Sequence, residues 1–297
     1  MLELRKKPLK DYIQKSKIYL KRELTFLKLN LFNSSLPIFT QIIWALFTNI
    51  VKLKNSRIRS RIRSRNKRNY FFTNGFADIG LINDLDKLAI NNIVKPYLNI
   101  KNQTLVSLPR EENDDLARYI FKFLKQFKKE ICEIIGSEFQ TFFIEVQKTV
   151  KSDVVDLDSS FAWHCDEEPK EMIKLYLYLS DTTRENGAFR TFNRKISKQL
   201  FSKRFISNTP FDRIKSQNLI TKSIGLKSKW IERKSGALFC FDNSLIHKAT
   251  HPIKGERIII SLMIYPSSDE IKLENVRKSL SMPLESYPVL PWKNPCK

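Results

Sequence analysis

Gly136 separates two hydrophobic periods, and that change constrains the fold more than any other feature of the chain. Upstream, Leu116, Tyr119, Ile120, Phe123, Leu124, Phe127, Ile131 and Ile134 recur at three- and four-residue intervals. This spacing predicts one helix from about Asp114 to Ile135, capped by Asn113 and stopped by Gly136. Downstream, Phe142, Ile144 and Val146 alternate with Thr141, Phe143, Glu145 and Gln147, the period of two that a strand requires. Further strands are expected in MIKLYLYLSD, GALFCFD and RIIISLMIYP, with turn signals at Glu185-Asn186-Gly187, Lys234-Ser235-Gly236 and Lys254-Gly255-Glu256. Earlier, YFFTNGFADIG reads as a short strand and turns, and NDLDKLAINNIVKPYL as a helix opened by Asn83 or Asp84, with Pro96 near its end. Helices first and strands later imply an α+β, mainly β, fold: an antiparallel core with helices packed outside. A double-stranded β-helix, the cupin-like jelly roll, is the expected architecture.

The chain before this domain has a different character. Residues 1–69 hold 18 Lys and Arg against 3 acidic residues, net +15 of the chain's +22, so the basic character belongs mainly to an extension. Residues 9–32 carry an amphipathic helix pattern. Residues 36–53, LPIFTQIIWALFTNIVKL, are the most apolar stretch, short and too interrupted by polar residues for a bilayer span of about 20 apolar residues. An arginine run follows at Arg57, Arg59, Arg61, Arg63 and Arg65. Together these suit an anionic membrane surface. The alternative reading packs the apolar helix on the main domain or a second subunit and leaves the arginines as a solvated linker. Nucleic acid is disfavoured because no aromatics interleave the arginines. The expected organisation is a basic helical extension and linker at 1–68, a single domain at 69–275 and a Pro-rich tail at 276–297. The apolar run starts too late for a signal peptide. Four cysteines without a C-x-x-C pair suit a reducing compartment, so the main domain is expected in the cytoplasm, or peripheral on the inner face of a membrane.

All three histidines, His164, His247 and His251, fall in the strand-rich half. FAWHCDEEP contains His164-x-Asp166, and residues two apart on an extended segment share a face, so one imidazole and one carboxylate can meet one ion. Alone, such a pair often only bonds to itself. GALFCFDNSLIHKATHPIKGERIIISLMIYP adds His247 at the end of an apolar strand, His251 in the connection and Arg257 at the start of the next strand. Two histidines and one carboxylate on one side of a metal leave three positions open, as in the non-haem Fe(II) oxygenases. An arginine can hold the far carboxylate of a dicarboxylic 2-oxo acid bidentately, while its other reading is a surface cation after a glycine turn.

These segments, in this order, resemble the phytanoyl-CoA dioxygenase-like branch of the Fe(II)/2-oxoglutarate oxygenases, from about Tyr70 to Pro266. The carriers are NGFADIG, WHCD, LYLYLSDTTRENGAFR and GALFCFDNSLIHKATHPIKGERIIIS. The resemblance implies iron ligands His164, Asp166 and His247, with Arg257 on the distal carboxylate of 2-oxoglutarate and O2 as the second cosubstrate. It leaves His251 as a turn residue or supporting donor, because the family's arginine lies about ten residues past the distal histidine. Lys174 or Tyr176, on the polar face of IKLYLYL, is the residue expected to touch the cosubstrate, the other reading being polar residues on the less buried face. Trp163 and Cys165 read as core residues.

The implied reaction is hydroxylation of a C–H bond in a small-molecule, lipid or glycan substrate, with release of succinate and CO2. The carboxylate at Asp166 argues against halogenation. FRTFNRKISKQL departs from the Gly-Ser-His motif of many relatives, which bears on substrate recognition, and the basic stretch 193–234 is expected to form a lid or entrance, its charge fitting either an anionic substrate or a solvated basic surface. The alternatives are a non-catalytic membrane-associated or scaffolding protein that keeps the fold, and a cupin-like zinc or manganese enzyme.

Overall fold

A computed structural model describes residues 38–54, 66–98, 105–106, 110–151, 160–166, 171–205, 210–223 and 225–281. The expected amphipathic helix at 9–32, the arginine run and the tail beyond 281 lie outside these residues. Helix α1 spans Ile38–Lys54 and packs on the core through Trp44, so the apolar run does dock on the main domain. Among the described residues no helix is long and apolar enough to cross a membrane.

Helix α2, Asn66–Asn74, occupies the start of the segment expected as strand and turns. Gly75, at φ +83°, reverses the chain into strand β1, Phe76–Leu81. A left-handed φ is cheap only for glycine, and a Cβ there would meet the Leu245 side chain at 2.5 Å. Asn83 caps α3, Asp84–Val94, by accepting a hydrogen bond from the Asp86 backbone N–H, as the sequence predicts.

The single helix expected over 114–135 is two: α4, Arg110–Gln126, and α5, Lys128–Ile135. The first starts before Asn113, which therefore lies inside it rather than capping it. The break falls at Phe127, whose ring takes the space beside Gly80 of β1, where a Cβ would approach it to 2.3 Å. The apolar stripe itself stays continuous, since Phe123, Phe127 and Ile131 share one core and the Phe127 and Ile131 N–H groups still donate to carbonyls four residues back. Gly136, at φ +80°, ends α5 as expected.

The remaining strands are β2 (Leu105–Val106), β3 (Glu138–Val150), β4 (Ile173–Tyr178), β5 (Phe189–Thr191), β6 (Lys229–Ile231), β7 (Ala237–Asp242), β8 (His247–Lys248) and β9 (Glu256–Ser267). They form a six-stranded sheet, β1-β7-β4-β9-β3-β2, and a three-stranded sheet, β6-β5-β8. All pairings are antiparallel. Helices α6, Arg194–Ser202, and α7, Pro210–Lys222, occupy much of the expected basic entrance. Apolar residues of α6 and the turn after it, Leu200, Phe201 and Phe205, pack with Trp163, Cys165, Phe192 and Ile246. Helix α8, Leu273–Leu280, runs through the boundary expected at 275, with Val276 fully buried in the main core.

Register separates the two faces of the large sheet. Leu175 lies between Cys240 and Leu262, and Leu177 between Leu238 and Ile260; all join the core formed with helices α3, α4 and α5. The alternate residues Lys174, Tyr176 and Tyr178 face the other way, in register with Met263, Ser261 and Ile259. That inner face meets the small sheet through Phe239, Phe241 and Tyr178 against Phe189 and Ile231. Cys132, Cys165 and Cys240 are buried.

Candidate metal and cosubstrate site

The site forms where the chain after Phe161 lies against the edge of the small sheet. His164 and His247 exchange both backbone hydrogen bonds, at 2.9 and 2.8 Å, so the two imidazoles start from directly paired residues. The Asp166 N–H donates to the Asn243 carbonyl at 3.2 Å, which fixes the carboxylate two residues further along. The turn that delivers His247 is itself held: Asp242 accepts from the Ser244 N–H and hydroxyl at 2.9 and 2.6 Å and pairs with Arg194 at 2.5 Å.

His164, Asp166 and His247 converge, with one ligand atom from each lying within 4.8 Å of the others. Each imidazole has its Nδ1 on a carbonyl, His164 on Ala162 at 2.8 Å and His247 on Leu245 at 2.9 Å. A carbonyl accepts only, so Nδ1 carries the proton and the Nε2 lone pair is left for a metal. Nε2 of His164 and of His247 each lie 3.6 Å from an Asp166 oxygen. That is too long for a hydrogen bond. It is near the roughly 3.0–3.4 Å separation of donors sharing one ion at about 2.1 Å.

The electrostatics agree with this use. Burial pushes the His247 imidazole down to about 3, so the ring is neutral at physiological pH. Burial alone would raise the Asp166 carboxyl, yet it lies well below the usual carboxylate range. With His247 neutral, the cation responsible is Lys174, whose Nζ sits 2.7 Å from Oδ2. Lys174 therefore holds Oδ2, the oxygen that also faces His247, while Oδ1 faces His164.

Arg257, at the start of β9, is 6% exposed. Its Nη1 donates to the Gly187 carbonyl at 2.6 Å and its Nη2 to Thr149 Oγ1 at 3.0 Å, while Nε has no partner. No acidic side chain pairs with it among the described residues, and burial lowers its pKa. The neighbouring Tyr178 hydroxyl is also buried without a partner. A buried, uncompensated guanidinium costs several kcal/mol and fits a site awaiting an anion. Tyr176 is enclosed by Phe189 and Phe241, and burial pushes its phenol up to about 12, which keeps it a neutral donor.

His251 stands apart, stacked on Phe161 at 3.6 Å with neither ring nitrogen hydrogen-bonded. Trp163 stacks on Phe192 at 4.7 Å inside the packing under α6. Three participants were not singled out from the sequence. Thr149 is placed opposite Arg257 only by the β3–β9 register. Gly187 belongs to the Glu-Asn-Gly turn, but its part as carbonyl partner of Arg257 needed the fold; at φ +93°, with Thr250 O 3.0 Å from any Cβ, the position requires glycine. Glu145 faces inward opposite Ser261, with its carboxyl raised by burial against the pull of Lys174.

No protein-family model matches the chain, and no curated protein does. Solved structures of similar course include HygX from Streptomyces hygroscopicus with nickel and 2-oxoglutarate bound, at 16% identity and TM-score 0.46, covering 70% of this chain and 88% of that one. The non-heme alpha ketoglutarate dependent carbocyclase SnoK from nogalamycin biosynthesis aligns at 8% identity and TM-score 0.47, covering 68% of this chain and 83% of its own. EctD from S. alaskensis in its apoform aligns at 14% identity and TM-score 0.47, covering 69% and 77%.

Proposed function

We propose that this chain is an Fe(II)- and 2-oxoglutarate-dependent oxygenase of the phytanoyl-CoA dioxygenase-like kind, its two sheets forming a double-stranded β-helix. One observation carries the reading: a preformed His-Asp-His group shares the space between the sheets with a buried arginine that has no acidic partner among the described residues. His164, Asp166 and His247 hold the metal, and two imidazoles with one carboxylate suit iron(II) and leave positions for cosubstrates. Arg257 takes the distal carboxylate of 2-oxoglutarate, with Nε and the Tyr178 hydroxyl supplying the unused donors. Tyr176 presents a neutral hydroxyl to the same space, and Lys174 keeps Asp166 ionised and aimed. When bound, iron(II) with 2-oxoglutarate and O2 supplies an oxidative decarboxylation that releases succinate and CO2 and hydroxylates a C–H bond. The aromatic wall of Phe189, Phe239 and Phe241 excludes water from that chemistry.

The substrate is a small molecule, lipid or glycan, with anionic character favoured by the basic segment 193–234. The test supplies purified protein with Fe(II), 2-oxoglutarate and O2 and measures succinate while metabolite extracts are screened. Succinate release that an extract stimulates and His164→Ala abolishes is the expected result. Zn(II)-dependent hydrolysis indifferent to 2-oxoglutarate, or no succinate under any condition, overturns the reading.

A further inference from the structure

Helix α1 is turned the wrong way round for a helix on a water-facing surface. Its buried face carries the polar Thr40, Gln41 and Thr48 beside Trp44 and Val51, all at most 4% exposed. Its outward face carries Phe39, Ile42, Leu46 and Ile50, exposed by 72, 43, 59 and 54%. These four positions recur at helical spacing and form one continuous apolar stripe, whereas a surface helix ordinarily turns its apolar stripe to the core. The orientation is anchored by Trp44, which meets Tyr265 edge-on at 6.2 Å and packs with Phe142, Phe143, Met172 and Met263.

The charge around this stripe identifies what meets it. No acidic residue occurs between Glu23 and Asp78, while the same stretch holds ten Lys and Arg, including Lys52 and Lys54 at the end of α1 and the arginine run just beyond. An apolar stripe within a segment of one sign fits a surface that is apolar below and anionic above. A second copy of the chain would bring two such segments together and meet their repulsion. Nucleic acid would satisfy the charge and leave the stripe in water.

We infer that α1 is an interfacial anchor, lying in the plane of an anionic membrane with Phe39, Ile42, Leu46 and Ile50 among the acyl chains and the flanking basic residues on the headgroups. At 17 residues, α1 lies on the surface and does not span it. This inference is independent of the metal chemistry and places the domain against a lipid leaflet.

The test is flotation of the full chain with vesicles of phosphatidylcholine alone and of phosphatidylcholine with phosphatidylserine. Expected are binding to the anionic vesicles, weakening with salt, and a loss of about tenfold or more in Leu46→Glu, Ile50→Glu. The control Leu85→Glu, Leu88→Glu, which alters exposed leucines of α3, binds as the unaltered chain does. As a second readout that tolerates any folding defect of the charged variant, Leu46→Trp shifts its emission to the blue when anionic vesicles are added. Equal binding to both vesicle types, no binding, full binding by the doubly charged variant, or no shift in Leu46→Trp overturns the inference. Dissociation of a dimer by Leu46→Glu, Ile50→Glu also overturns it, because a second copy would then cover the stripe.

Discussion

The two faces of the large sheet obey different rules, and strand β4 shows both within six residues. Ile173, Leu175 and Leu177 point toward helices α3, α4 and α5 and are buried among other apolar side chains. Lys174, Tyr176 and Tyr178 point into the space between the sheets, beside Asp166 and Arg257. The outer face is interchangeable hydrocarbon whose burial holds the domain together. The inner face retains buried polar groups without internal partners, the Arg257 Nε and the Tyr178 hydroxyl. Such burial opposes folding, so the outer face carries stability, and on the proposed function the inner face is kept for a ligand.

Substitutions on the two faces should therefore separate binding from stability. The largest expected effect is that of His247→Ala, which removes one of the three proposed metal ligands and should weaken Fe(II) binding by more than about 100-fold while leaving the unfolding midpoint of the metal-free protein nearly unchanged. An anaerobic metal titration beside a thermal melt checks both halves. Leu177→Ala, on the outer face, should do the reverse: a loss of about 2–5 kcal/mol in urea unfolding with unaltered metal affinity in the folded baseline. If Leu177→Ala disturbs iron binding as much as stability, the division between faces fails.

Arg257→Lys keeps the charge but loses the planar fork, and should raise the 2-oxoglutarate concentration at half-saturation about 10- to 100-fold, or about 1.4–2.8 kcal/mol. Metal affinity without cosubstrate should not change. The smallest effect is expected at Glu145. Burial raises its carboxyl above the ordinary 4.5, so the folded state holds the proton more tightly than the unfolded chain. Stability from this group is present below about pH 4.5 and is lost as pH rises through the folded value. Glu145→Gln retains the acceptor for Gln147, should be more stable than the parent at pH 7, and should lack that part of the pH slope. Chemical unfolding at several pH values reads the difference.

The same contrast explains what the sequence could and could not reveal. Elements long enough to repeat a period were legible: α3 with its Asn83 cap, and the strands around Phe142, Leu175, Phe239 and Ile260. Strands β5, β6 and β8 have only two or three residues, too few to display any period. Helix α2 carries the β-prone Tyr70-Phe71-Phe72, and the break at Phe127 depends on a glycine 47 residues earlier; both are decided by packing. His164-x-Asp166 was visible because extended residues two apart share a face. Its convergence with His247 rests on a backbone bridge between distant segments, which no spacing encodes. Arg257 was visible as a residue, whereas its burial against Thr149 and Gly187 came from strand register and one left-handed turn.

The central claim is that the inner face binds iron(II) and 2-oxoglutarate together. The most direct measurement is anaerobic addition of 2-oxoglutarate to the Fe(II)-loaded protein while visible absorption is followed. A metal-to-ligand band that saturates with one equivalent of iron, disappears in His247→Ala and requires more 2-oxoglutarate in Arg257→Lys is the predicted result. Iron that binds without any band, or a band indifferent to both substitutions, contradicts it.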